Sequence, residues 1–206
     1  MAQGVTFHFQ HRWLGWDEKN SLRFDTAEGE ILTEADGAIL ALGGGSWPKT
    51  GSTGAWVSIL QERGIPIQTL KPSNCGFNIQ WSDFFKTRFA GEPIKSVALS
   101  FNGRSERGEF VISEHGIEGN LVYKFSAALR DAIEENGSAT IHLDLLPDKE
   151  LTQLFKRPRG KRSFSSYLKK ETGLSGAKAN LLWETLSRET PPDLGLVAAT
   201  LKSLPL

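Results

Sequence analysis

Apolar and polar positions alternate along the first third of the chain, a pattern typical of short strands. Val5, Phe7 and Phe9 alternate with polar residues, and a shorter alternation follows at residues 22–24. Residues 38–42 are apolar at every position, as expected for a strand buried on both faces of a parallel sheet. The pattern therefore predicts a mainly β region that ends in a buried strand.

One helix is predicted directly after this region, over residues 54–63. Trp56, Ile59 and Leu60 recur there at the spacing of one helical face. Gly64 follows, and glycine is the residue that most often ends a helix.

From residue 71 onward, strand-like and helix-like stretches follow one another in an irregular order. Strands are predicted at residues 76–80, 94–102, 109–113 and 139–145. Helices are predicted at residues 121–135, 149–155, 165–172 and 178–187. This order predicts an α+β fold and not a repeating βαβ unit. We place a domain boundary near Leu70–Pro72, which gives domains of residues 1–70 and 71–206.

Composition excludes several classes of protein. Lysines and arginines number 24, and so do aspartates and glutamates, so no net charge attracts nucleic acid or anionic lipid. The single cysteine, Cys75, cannot form an intrachain disulfide, and we interpret it as a small core residue. A membrane-spanning helix needs about 18 consecutive apolar residues, and the sequence has no such run. We therefore expect a cytoplasmic protein that does not interact with membranes.

A glycine-rich loop follows the predicted buried strand and is the most informative motif. Its cofactor-contact candidates are Gly43, Gly44, Gly45 and Ser46. Ligands of open α/β sheets bind at the carboxyl ends of strands, and exposed backbone N–H groups suit phosphate. The loop matches neither a P-loop nor the G-x-G-x-x-G fingerprint. From spacing alone, a phosphate site and a plain strand-to-helix turn remain equally good interpretations.

Residues 41–54 resemble the second flavin motif of the HI0933-like flavoproteins, although Leu42 stands where that family has threonine. Shorter segments also resemble the family: residues 11–16, 71–77, 108–109, 116–119 and 201–206. The resemblance implies FAD-dependent oxidoreduction. It also implies that residues 1–70 are the edge of an FAD-binding α/β domain, and that 71–206 are an inserted, β-barrel-like domain with helices on the substrate side.

The resemblance also implies where the cofactor would lie. The loop residues 43–46 would contact FAD, and Arg12 and Trp13, with His11 and Trp16, could line its adenine side. The competing interpretation of these four residues, an amphipathic surface strand, is slightly favoured. The family's opening and closing glycine-rich segments are not in this sequence. We therefore expect a fragment that is inactive alone and does not retain FAD, whose partners are the missing N- and C-terminal parts.

Two further features bear on binding chemistry. The histidines have no metal-ligand spacing, so no metal site is predicted. The basic run at residues 156–162 could be a nucleic-acid patch or a solvated loop, and zero net charge without interleaved aromatic residues favours the loop. An independent binding module for RNA or protein is the alternative function. The substrate and the catalytic residues are not identified.

Overall fold

The computed structural model describes residues 4–186 and 193–206. Two compact units make up the chain, Met1–Lys71 and Pro72–Leu206. Helices and strands alternate irregularly along the sequence, so the predicted α+β fold class is confirmed.

The first unit contains a three-stranded antiparallel sheet in the order β1–β2–β3. The strands are β1 (Arg12–Trp16), β2 (Leu22–Thr26) and β3 (Gly29–Thr33). Sequence alternation and tight turns explain this meander, because the β2–β3 turn ends at a glycine with φ of 114°. One helix follows, α1 (Trp56–Glu62), which confirms the predicted helix. Gly64, which has φ of 72°, follows its end.

Two predicted strands of the first unit are wrong. Residues 5–9 and 38–42 form no ladder with any strand in the described part of the chain, and Ile39 is 96% exposed. A buried strand requires hydrogen-bonded neighbours on both sides. The sheet of this unit pairs β1, β2 and β3 only with one another, so neither segment has such neighbours there.

The second unit is built on a six-stranded antiparallel sheet in the order β4–β7–β6–β5–β8–β9. Its strands are β4 (Phe77–Asn78), β5 (Pro93–Phe101), β6 (Arg104–Ser113), β7 (Gly116–Glu118), β8 (His142–Asp144) and β9 (Leu204–Pro205). Asn102 and Gly103 join β5 to β6, with φ of 47° and 77°. Positive φ at both positions is the signature of a tight hairpin turn that matches strand twist. A bulge at Ser96, with φ of 52°, interrupts the β5 register and bends the strand.

Six helices accompany this sheet in the described part of the second unit. They are α2 (Asp83–Phe89), α3 (Asn120–Tyr123), α4 (Ser126–Asn136), α5 (Phe164–Thr172), α6 (Gly176–Thr185) and α7 (Leu194–Lys202). One apolar cluster joins helices and strands, and its fully buried members include Phe85, Val97, Leu99, Ile112, Val122, Leu143, Leu181 and Leu201. Alternate residues of β5 contribute to it, as the period of two in a strand requires.

The second unit corrects several predicted boundaries. The helix predicted over 121–135 is broken at Lys124–Phe125, where Phe125 turns into the core, 1% exposed. Residues 149–155 contain only a 3-10 turn, Leu151–Gln153. The predictions at 94–102, 109–113 and 165–172 are confirmed, whereas α6 begins and ends earlier than expected. Ser187, the predicted end of α6, lies outside the described residues.

Candidate cofactor site

Two carbonyl groups of residues 43–46 accept hydrogen bonds from other residues of the first unit, whereas no N–H group of these residues donates one in the described structure. The Gly43 carbonyl accepts a hydrogen bond from the Trp56 indole at 3.1 Å, and the Gly44 carbonyl accepts one from the Gly54 N–H at 3.1 Å. Among the described residues, no acceptor takes a hydrogen bond from an N–H group of 43–46. These consecutive N–H groups are therefore available to an anionic or carbonyl ligand.

A tight, hydrogen-bonded turn over residues 47–52 follows the glycines. Trp47 and Ser52 exchange backbone hydrogen bonds at 3.2 Å in both directions, and the 3-10 turn Pro48–Thr50 lies between them. Gly51 closes the turn with φ of 88°. The turn leaves the Trp47 indole 63% exposed directly beside residues 43–46.

Gly45 and Gly44 differ in how much space surrounds them. A Cβ atom on Gly45 would lie 3.0 Å from a methyl group of Leu70 and 3.6 Å from the Cα atom of Gly54. A Cβ atom on Gly44 would meet only the Ser52 hydroxyl, at 3.5 Å. Gly45 therefore packs against its own unit, whereas the face of Gly44 is open to a ligand.

Arg12 and Trp13 lie on β1, which contacts the helix that follows the loop. β1 approaches α1 so closely that a Cβ atom on Gly15 would lie 2.8 Å from the Ile59 side chain. Arg12 forms an ion pair with Asp25 at 2.7 Å on the neighbouring strand, and its side chain is 75% exposed. In the described structure, no hydrogen bond joins Arg12 or Trp13 to residues 43–46.

The Trp13 side chain carries an orphaned polar atom. Its indole Nε1 is buried and has no hydrogen-bond partner among the residues that the structure describes. Its ring packs edge-on against Trp16, with the ring centroids 4.9 Å apart. A buried indole N–H without an acceptor is costly, so this donor is a candidate for a ligand oxygen.

The sequence did not reveal a second cluster on the same sheet. The Arg63 guanidinium lies 5.0 Å from the centre of the Trp16 ring and donates to the Asn20 side chain at 2.8 Å. On the next strands, Arg23 holds the pKa of Glu30 below its usual range through a direct hydrogen bond of 2.6 Å. Residues so far apart in sequence give no local pattern, so only the fold brings them together.

The described ranges 4–186 and 193–206 contain neither a metal-ligand cluster nor a membrane-spanning helix. No group of three or more His, Cys, Asp or Glu side chains there could hold a metal ion. No helix in those ranges has the length and apolar character to cross a membrane. Cys75 is half-buried and not fully in the core, where the sequence placed it.

Residues 71–206 match the sequence profile of one family, described as the HI0933-like protein barrel and H2TH domain. The chain belongs to the HI0933-like family. The match covers the six-stranded sheet and the helices around it, so the family resemblance of the sequence is confirmed.

The chain is also similar in sequence to a curated reductase. The chain is 26% identical over 140 residues to the 3-dehydro-bile acid delta(4,6)-reductase of Clostridium scindens. The aligned part covers 66% of this HI0933-like chain and 32% of the reductase. The chain thus spans about a third of the length of the curated relative that it matches.

Proposed function

We propose that this chain is part of an FAD-dependent oxidoreductase of the HI0933-like family, and that residues 43–46 form part of its cofactor site. Family membership and similarity to a reductase support the reaction class. The observation that carries the site is the row of N–H groups in residues 43–46 without internal partners.

The residues of this loop fit the chemistry of FAD. Backbone N–H groups are good donors to phosphate and to ring carbonyl oxygens, and glycine lets such a ligand approach the backbone closely. The open face of Gly44 provides the space for that approach. The buried Trp13 indole N–H is a further donor on the same unit.

FAD, when bound, supplies the hydride chemistry, while the protein binds and orients it. Residues 43–46 would hold one edge of the cofactor by N–H donation. Trp13 would donate to a cofactor oxygen, and Arg12, held by its ion pair with Asp25, would line the adenine side.

The 206-residue chain alone would not hold FAD tightly. A hydrogen bond from an amide to a charged group contributes roughly 1.5–3 kcal/mol. The rigid-body cost of association is about 4–15 kcal/mol, and it consumes most of what a few such bonds provide. We propose that sequence encoded beside this chain completes the site.

The proposal is tested by purifying two proteins in parallel, the product of the complete gene and the 206-residue chain. We expect a flavin absorbance spectrum with near-stoichiometric FAD in the first and no retained flavin in the second. A complete gene product that contains no flavin and binds none on titration would contradict the proposed function. Near-stoichiometric flavin in the 206-residue chain would contradict the proposal that the site is incomplete.

A further inference from the structure

Positive charge in the second unit is concentrated in one short segment. Between residues 156 and 170 the chain has no aspartate or glutamate, although the whole chain has zero net charge. The cations of the segment are Lys156, Arg157, Arg159, Lys161, Arg162, Lys169 and Lys170. We call residues 156–162, with the first five of these cations, the basic loop.

The cations of the basic loop are exposed, and no carboxylate of residues 4–186 or 193–206 pairs with them. Every one of them is exposed to solvent. No hydrogen bond or ion pair engages their side chains within the described part of the chain. Most other arginines differ, because carboxylates pair with Arg12, Arg23, Arg104, Arg107 and Arg130. The basic loop therefore has unused binding capacity for anions.

The backbone of the basic loop is nevertheless anchored to the core. The hydroxyl of Tyr167, a residue with 0% exposure, donates to the Arg157 carbonyl at 2.5 Å. Phe155, at the start of the loop, packs on the Tyr167 ring with centroids 5.5 Å apart. An anchored backbone lowers the entropic cost of ordering the loop when a ligand binds.

The surroundings of the loop favour nucleic acid over lipid as the polyanion. The planar guanidinium group of arginine donates two hydrogen bonds at once to phosphate oxygens, and three of the five cations are arginine. No large apolar side chain is exposed between residues 156 and 170, so the loop has nothing to insert into a bilayer. Helices α5 and α6 follow the loop, joined by the three residues 173–175 with Gly173 at φ of 80°.

We infer that the basic loop is a binding surface for the phosphate backbone of a nucleic acid. Exposed aromatic side chains are absent from residues 156–162, so the contacts are to phosphate and not to bases. The binding is therefore independent of sequence and strongly dependent on salt. The inference does not rest on the proposed flavin chemistry.

The test is fluorescence anisotropy with the 206-residue chain and labelled duplex DNA, duplex RNA and single-stranded RNA. One variant carries Arg157→Gln, Arg159→Gln and Arg162→Gln. The matched control carries Lys19→Gln, Arg88→Gln and Lys95→Gln, which removes the same charge from exposed sites elsewhere. The unfolding curves of both variants should match that of the wild type.

Counterion release sets the expected magnitude. Each phosphate contact contributes a slope of about −0.9 to log K against log salt. Five contacts give a loss of affinity of about 500-fold between roughly 50 and 200 mM salt, and two contacts give about 12-fold. We expect the wild type and the control to show the larger loss, and the arginine variant to show the smaller loss and weaker binding throughout.

Three results would overturn the inference. One is that the wild-type chain binds none of the three nucleic-acid probes at the lower salt concentration. Another is an equal loss of affinity in the arginine variant and its control, which would indicate that the net charge of the protein, and not the basic loop, determines its affinity for nucleic acid. The third is tighter, arginine-dependent binding to vesicles of phosphatidylcholine with phosphatidylserine, which would assign the basic loop to a membrane surface.

Discussion

Replacing Ser126 by alanine should destabilise the second unit, because this hydroxyl satisfies both backbone groups of Cys75. The Cys75 N–H donates to the Ser126 Oγ atom at 3.1 Å, and the same hydroxyl donates to the Cys75 carbonyl at 3.0 Å. Ser126 is 0% exposed and is the first residue of α4. The pair fixes the segment before β4 to this helix, 51 residues away in sequence.

The magnitude follows from the two lost hydrogen bonds. A buried polar group left without a partner costs about 1–3 kcal/mol. Cys75 is only half-buried, so water would reach part of its backbone and reduce the cost. We therefore expect a loss of about 1–3 kcal/mol in the free energy of unfolding, or roughly 2–4 °C in Tm for each kcal/mol.

Urea unfolding of the full chain, followed by circular dichroism, measures this change. Ser105→Ala is the matched control, since that residue is exposed and its hydroxyl only accepts a hydrogen bond from the Ser100 hydroxyl at 2.9 Å. The control should stay within about 0.5 kcal/mol of the wild type. A Ser126→Ala variant as stable as the control would refute the role assigned to this hydroxyl.

Three further predictions test other parts of the molecule. Changing all five cations of the basic loop to serine should alter the free energy of unfolding by less than about 1 kcal/mol, because the side chains are exposed and unpaired; a larger loss in thermal unfolding would show that they support the fold. Limited proteolysis should cut first within residues 43–54 and leave a resistant fragment that begins near residue 72. Protection of the first unit with degradation of the second would contradict this domain boundary. Hydrogen bonds from Lys124 and Arg104 lower the pKa of Glu106, so its contribution to stability is present at neutral pH and is lost as the pH falls through that lowered pKa. The stability gap between wild type and Glu106→Gln should therefore close on acidification, and a gap that is constant with pH would argue against this pairing.

Local sequence signals predicted the elements whose hydrophobic pattern and end signals lie within their own segment. The helix α1 combines an apolar face with a terminal glycine, and α5 lies where the periodicity of residues 165–172 indicated. Strand β5 was predicted over nearly its full length, whereas only the second half of β6, residues 109–113, was predicted. Such elements carry their own hydrophobic pattern, so tertiary context changes only their ends.

Elements that depend on distant partners could not be predicted. The run 38–42 has the composition of a buried strand, yet its pairing depends on strands far away in sequence. The helix α2 was missed because it has only seven residues: Phe85 and Phe89 form its buried face, and the exposed Phe84 beside them obscures the helical period. In the candidate site, the glycines were visible in the sequence, but the unpaired N–H groups and the orphaned Trp13 indole appear only with the fold.

The most direct test of the flavin account is a comparison of two glycine variants of the complete gene product. Neither Gly44 nor Gly37 has positive φ, and a Cβ atom meets one hydroxyl at Gly44 and open space at Gly37. Alanine at either position should therefore leave the fold intact, whereas a methyl group on Gly44 would block a cofactor that approaches residues 43–46. We predict that Gly44→Ala weakens FAD binding at least about tenfold, which corresponds to about 1.4 kcal/mol, and that Gly37→Ala leaves it unchanged. Equal FAD affinity in both variants and the wild type would contradict the assignment of this loop to the cofactor.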